Sequence, residues 1–246
     1  MTLELSPNTK GLRSNYQINL RVNTMTTFPL MLKDGHLFTE INHQLWLVDT
    51  GSPISFGSEN SIILNQKKFT MLSNYMGLSS AKLSQFVGVP CVGLLGADIL
   101  GNFDQIMDCC NGTLTLSSDE LPPTGQQLSV HHFMGIPIMT VQVGNQTQSM
   151  IFDTGAQLSY WQNNTLYQFQ ASGTVSDFFP GIGEFETETY LVPTQIGSVD
   201  FTLRYGMLPE LLGMTVMMTG AEGIIGNEIL LHKKISYFPR RNMLFI

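Results

Sequence analysis

Asp49 and Asp153 are the residues of this 246-residue sequence whose type and setting most clearly suggest chemistry. Each ends an apolar run and opens an Asp-Thr-Gly triplet, first in Leu47-Val48-Asp49-Thr50-Gly51 and again in Ile151-Phe152-Asp153-Thr154-Gly155. One aspartate at a strand end is ordinarily a cap or turn residue. Two in matching contexts can be brought face to face by a twofold relation between the segments that carry them. Carboxylates about 3 Å apart cannot both ionise, so they hold one proton between them and titrate as a coupled pair. The ionised member can take a proton from water, while the protonated member hydrogen-bonds a carbonyl oxygen and later protonates a leaving nitrogen. Such a pair suits hydrolysis of an amide and needs no covalent intermediate, metal or cofactor.

The neighbours have roles to fill. Gly51 and Gly155 let the backbone turn tightly beneath each carboxylate. Thr50 and Thr154 are expected to be buried where the two loops meet, and a buried hydroxyl needs a partner. Crossing to the backbone of the opposite loop would supply one and fix the carboxylate geometry. Ser52 follows Gly51 where Ala156 follows Gly155. A Ser52 hydroxyl bonded to Asp49 would favour the ionised form, which makes Asp49 the expected more acidic member.

The elements that position these residues recur in order. Phe28-Pro29-Leu30-Met31 is matched by Ile136-Pro137-Ile138-Met139, each read as opening a strand that leads to an Asp strand. Downstream, Gly93-Leu94-Leu95-Gly96-Ala97-Asp98-Ile99-Leu100 is matched by Gly223-Ile224-Ile225-Gly226-Asn227-Glu228-Ile229-Leu230, an apolar pair and a glycine running into a short helix. A period of about 104 residues is a duplicated lobe, too long for a solenoid repeat. Alternating runs predict strands over 3–5, 16–22, 37–42, 44–48, 113–116, 199–204 and 242–246, with a helix over 97–100. Residues 61–64 and 69–71 fit either short strands or a helical turn. The organisation expected is an N-terminal lobe over 1–116, a Pro- and Gly-bearing linker over 117–127 and a C-terminal lobe over 128–246. Runs over 174–179 and 184–192 flank Pro180-Gly181-Ile182-Gly183 and predict a hairpin with a glycine-rich tip. In the first lobe, Asn74-Tyr75-Met76-Gly77 is a rival tip.

Composition narrows the function classes. Apolar residues make up 43% and charged residues only 13%, which argues for a packed core rather than disorder. The net charge of −7, with Lys and Arg only in pairs, argues against nucleic acid or an anionic membrane as partner. No apolar run is long enough to span a membrane, and residues 1–16 lack a signal-peptide apolar region, so a cytoplasmic location is expected. Three cysteines, Cys91, Cys109 and Cys110, fit a reducing compartment and a packing role. The sequons at Asn111, Asn145 and Asn163 read as incidental in that setting. His131-His132 reads as surface beside the linker, and Met217-Met218 as lining for an adaptable apolar cleft.

The two Asp-Thr-Gly triplets, with Leu94-Leu95-Gly96, Ile224-Ile225-Gly226 and the helix after each, resemble the aspartic protease clan that includes pepsins and retroviral proteases. The resemblance covers most of residues 16–246. It implies an all-β, bilobal aspartic-protease fold with short helices, two pseudo-symmetric lobes and the active site between them. It implies an aspartic endopeptidase in which Asp49 and Asp153 activate water, supported by Thr50, Gly51, Ser52, Thr154, Gly155 and Ala156. Residues Phe179, Pro180, Gly181, Ile182 and Gly183 resemble a retropepsin flap, a hairpin that closes over apolar substrate residues and excludes water. Pepsins carry their flap in the N-terminal lobe, so a flap in the second lobe is a departure. Two retropepsin-sized lobes in one chain imply a monomer acting on a peptide or protein, with no cofactor and no metal. The alternative is a module of the same fold that binds peptides or proteins with little catalysis.

Overall fold

The computed structural model describes residues 24–180 and 182–246. The strands expected over 3–5 and 16–22, and Gly181 at the hairpin tip, lie outside the described residues. The fold is mostly β, with twenty-one strands and no helix longer than nine residues among the described residues.

Each half begins with a three-stranded antiparallel meander. In the first half the strands are Met25–Lys33, His36–Ile41 and Gln44–Val48; in the second they are Gln127–Phe133, Ile136–Val143 and Gln146–Phe152. Two-residue turns join the first pair of strands in each meander. Asp34-Gly35 and Met134-Gly135 both have positive φ, as the twist of a tight hairpin requires. The third strand of each meander ends at the aspartate and pairs in parallel with a short strand. Val48 lies beside Leu95 in Gly93–Leu95, and Phe152 beside Ile225 in Gly223–Ile225. The next backbone N–H in each case, from Asp49 or Asp153, donates to Leu95 O or Ile225 O at 3.0 Å.

This topology corrects one of the matches. Pro29 lies within the first strand of its meander, whereas Pro137 is in the second strand of the other. The two proline segments are one strand out of step. Pattern matching along the chain could not detect this, because both strands are half-apolar and each is followed by a turn.

Strand alternation explains how the Asp strands are held from both sides. Trp46 and Val48 face a large apolar cluster that also takes in Met150, Phe152, Leu95 and Ile225 from both halves. Their intervening neighbours point the other way. Leu47 and Leu94 join Phe38, Phe56, Leu83 and Val87 in a satellite cluster, and Ile151 and Ile224 join Ile138, Tyr160, Leu212 and Val216 in another. A helix covers each satellite: Ser80–Phe86 supplies Leu83, and Glu210–Met218 supplies Leu212 and Val216. Ser79 caps the first of these helices, accepting from Lys82 N–H.

The halves are joined by a ladder. Strands Thr113–Ser117 and Asp104–Asp108 pair in the first half, Ile235–Phe238 and Met243–Phe245 in the second, and Gln105–Met107 pairs with Ile235–Tyr237 between them. Met25–Pro29 pairs with Thr113–Ser117 at one side, and Gln127–Ser129 with Met243–Phe245 at the other. The connecting segment without strand runs over 118–126, because Ser117 and Gln127 already belong to strands.

Several local expectations change. Residues 61–64 and 67–70 are an antiparallel pair, Ser61–Leu64 with Lys67–Thr70, not a helical turn. The element after Ile224-Ile225-Gly226 is a 3₁₀ turn, Asn227–Leu231, where the first half has an α-helical turn, Ala97–Leu100. His131-His132 lies in the strand that follows the linker, with His131 exposed as expected and His132 half-buried, its Nε2 2.8 Å from the Tyr237 hydroxyl. Met217 and Met218 are exposed on the outer side of the helix Glu210–Met218, whose buried residues are Leu212, Gly213 and Val216. Among the described residues no helix is long and apolar enough to cross a membrane.

Candidate active site

The parallel pairings end both Asp strands at the same depth, and the two Asp-Thr-Gly loops meet there. Each threonine reaches across. Thr50 Oγ1 donates to Phe152 O at 2.7 Å and accepts from Thr154 N–H at 3.0 Å. Thr154 Oγ1 donates to Val48 O at 2.8 Å and accepts from Thr50 N–H at 3.1 Å. Both side chains are buried. The four bonds form two reciprocal pairs that satisfy both hydroxyls and both threonine N–H groups, which locks the loops in register.

The glycines are needed because the opposing carboxyl group occupies the space of a side chain. A Cβ on Gly51 would lie 2.6 Å from Asp153 Oδ1, and one on Gly155 would lie 2.5 Å from Asp49 Cγ. Asp49 and Asp153 therefore pack each against the other's loop, close enough for each carboxyl group to act on the ionisation of the other. Asp49 Oδ1 accepts from Ser52 N–H at 2.8 Å, and Asp153 Oδ1 accepts from Gly155 N–H at 2.8 Å and Ala156 N–H at 3.3 Å.

Burial raises both acids. Asp49 rises well above the ordinary carboxylate range, first because of burial and then because of the Asp153 charge beside it. Asp153 is raised by burial but relieved by the hydrogen bond from Asp49 and by the Gly155 and Ala156 N–H groups. Two buried acids so close hold one proton between them. The expected contact from the Ser52 hydroxyl to Asp49 is not made. The Ser52 hydroxyl turns away to donate to Ile54 O at 3.0 Å, leaving only its backbone N–H on the carboxylate.

The predicted hairpin is present as Gln170–Phe179 paired with Gly183–Ile196. Its turn is closed by Ile182 N–H donating to Phe179 O at 3.1 Å, and Gly183 takes a positive φ of 94°. The strand passes over the loop that follows Asp153. Gln157 Nε2 donates to Ser176 O at 3.0 Å, the Tyr160 hydroxyl donates to Asp177 Oδ2, and Phe178 stacks on Phe86 with ring centroids 4.9 Å apart. Phe179, Pro180, Ile182 and Gly183 face Met76, Gly77 and Leu78 across a cavity of about 350 Å³. The rival tip at Asn74-Tyr75-Met76-Gly77 is therefore also a hairpin, a small one, and the two tips confront each other.

Sequence reasoning missed several residues that hold this arrangement. Ser55 and Ser159 stand six positions after their aspartates, and each hydroxyl accepts a glycine N–H, from Gly96 at 2.8 Å and from Gly226 at 3.2 Å. Their equal spacing was the available signal. Asn227 Nδ2 donates to Gly35 O at 2.8 Å, tying the first hairpin turn of one half to the second half. His36 is buried, with Nδ1 donating to Gly155 O at 3.4 Å, and burial lowers its pKa. Nothing near His36 in the chain pointed to that contact. Burial pushes the Cys109 thiol up to about 11, which suits packing rather than nucleophilic chemistry. Among the described residues no group of three or more His, Cys, Asp or Glu could hold a metal ion.

No protein-family model matches the chain, and no curated protein matches it at a significant level.

Proposed function

We propose that this chain is a single-chain aspartic endopeptidase, with two pseudo-symmetric lobes, the active site between them, and a flap formed by the second lobe's long hairpin. The observation that carries the reading is the paired carboxyl group, Asp49 to Asp153, on two loops that are locked by reciprocal threonine bonds. In the proposed reaction, Asp153 takes a proton from a water held between the acids. Asp49 donates its proton to the peptide carbonyl as the tetrahedral species forms, and proton return to the nitrogen expels the amine. Both acids come from one chain, so the monomer is the proposed active unit. Exclusion of water by the hairpin would strengthen every electrostatic contact within the site. Apolar substrate residues are proposed to lie under the tip around Ile182.

The test is cleavage of a diverse peptide library from acid to neutral pH by wild type, Asp49→Asn and Asp153→Asn. Each substitution should reduce the rate by about 10³-fold or more, because it removes an acid–base partner. Folded wild-type protein that cleaves nothing, yet binds peptides, would replace this reading with that of a peptide-binding module.

A further inference from the structure

The two sides of the proposed cleft differ in chemistry. Phe56 follows Ser55 as Tyr160 follows Ser159, and the matching serine bonds to Gly96 and Gly226 make the positions equivalent. Phe56 has no polar atom on its side chain and is enclosed by Leu47 and Leu94. Tyr160 instead presents a hydroxyl to the hairpin strand above it, where it donates to Asp177 Oδ2.

Asp177 is half-buried and close enough to Asp153 and His36 for its charge to act on both. Its other oxygen accepts from Phe178 N–H at 2.8 Å. A carboxylate offers about four acceptor positions, and these two donors leave room for more. No Lys or Arg pairs with Asp177 among the described residues. The nearby groups that titrate are Asp153, itself acidic, and His36, which burial keeps toward its neutral form. That spare acceptor capacity stands on the strand that crosses the loop after Asp153, within reach of a cation carried by a ligand.

We propose that Asp177 is a specificity-determining residue, pairing with a Lys or Arg side chain of the peptide in the subsite beside Asp153. Phe56, the counterpart of Tyr160 in the first half, has no hydroxyl to hold such an acid, so the preference applies to one side of the scissile bond only. This inference rests on the peptidase reading for its substrate class.

The experiment uses matched peptides with Lys, Arg, Leu or Glu at each position flanking the scissile bond. It compares wild type, Asp177→Asn, Asp177→Glu and Asp177→Lys, each shown to be folded by circular dichroism. Wild type should prefer Lys or Arg over Leu at one position by about tenfold in kcat/KM, the scale of a charge-assisted hydrogen bond. Asp177→Asn should bring that ratio toward one, Asp177→Glu should restore it, and Asp177→Lys should transfer it to Glu. Binding of the same peptides to Asp49→Asn, by fluorescence anisotropy, separates the two readings. Cleavage without a basic preference, or a preference that survives Asp177→Asn, overturns the role of Asp177 and leaves the peptidase reading standing. Absence of cleavage with Lys-dependent binding that Asp177→Asn abolishes removes the peptidase and keeps the subsite. Neither cleavage nor binding overturns both.

Discussion

The shared proton of the carboxyl pair ties stability to pH at the residue scale. Asp49 is raised in the folded state, so between the ordinary carboxylate value of 3.8 and its folded value the folded chain binds more protons than the unfolded chain. Stability from this site is therefore greatest below that range and falls as pH rises through it. Asp49→Asn removes the titration while keeping a hydrogen-bonding side chain of the same shape. The variant should melt above wild type at pH 7, and its advantage should shrink as pH falls toward 4. Thermal melts at both pH values check this, and an advantage that grows toward acid would contradict the upward shift of Asp49.

The long hairpin is the element whose attachment has the most consequence for access to the site. Its contacts with the rest of the molecule include Gln157 to Ser176, Tyr160 to Asp177 and Phe185, and Phe178 on Phe86 and His36. An offset stack of this kind contributes about 1 kcal/mol beyond its buried area. Phe86→Ala should raise amide exchange in residues 174–188 about fivefold, the factor corresponding to that energy. Hydrogen exchange by mass spectrometry reads this directly. Unchanged exchange would mean that the hairpin is held by its pairing with Val199–Gly206 rather than by docking on the first half.

For the whole molecule, the joint between the halves decides whether the loops stay in register. Beside the Gln105–Tyr237 ladder, the fully buried Asp104 carboxylate accepts from Arg240 Nη2 at 2.9 Å, from Arg241 Nη2 and from Leu121 N–H at 2.8 Å. Asp104 belongs to the first half and both arginines to the second. Removing the acid strands two cations that are 34% and 20% exposed, so solvent recovers part of the loss. Asp104→Ala should destabilise the chain by about 3 kcal/mol, the low end for breaking a buried pair. Urea denaturation measures this, and a loss below about 1 kcal/mol, the ceiling for a surface pair, would show the clasp to be dispensable.

What could be read from the sequence was what repeats locally. The triplets at Asp49 and Asp153, the apolar pairs at Leu94-Leu95 and Ile224-Ile225, and the alternation of Trp46-Leu47-Val48 each depend on neighbours a few residues apart, and each is visible as a pattern. The hairpin around Ile182 was visible for the same reason. Strand pattern states which face of a strand is apolar but not which strand lies beside it, so the proline segments were matched one strand out of step. The partners of Ser52, His36, Asp177 and Asp104 were equally out of reach. A serine hydroxyl turns to whichever acceptor the loop brings near, here Ile54 O rather than Asp49. His36 meets a carbonyl 119 residues away, and Asp104 meets arginines 136 and 137 residues away. The sequence by itself determined the mostly-β character, the duplication and the identity of the paired acids. Only the tertiary structure decided which groups bond each acid and which side chains lie beside the pair, because burial and contacts between distant segments set those properties and neither is encoded at any one position.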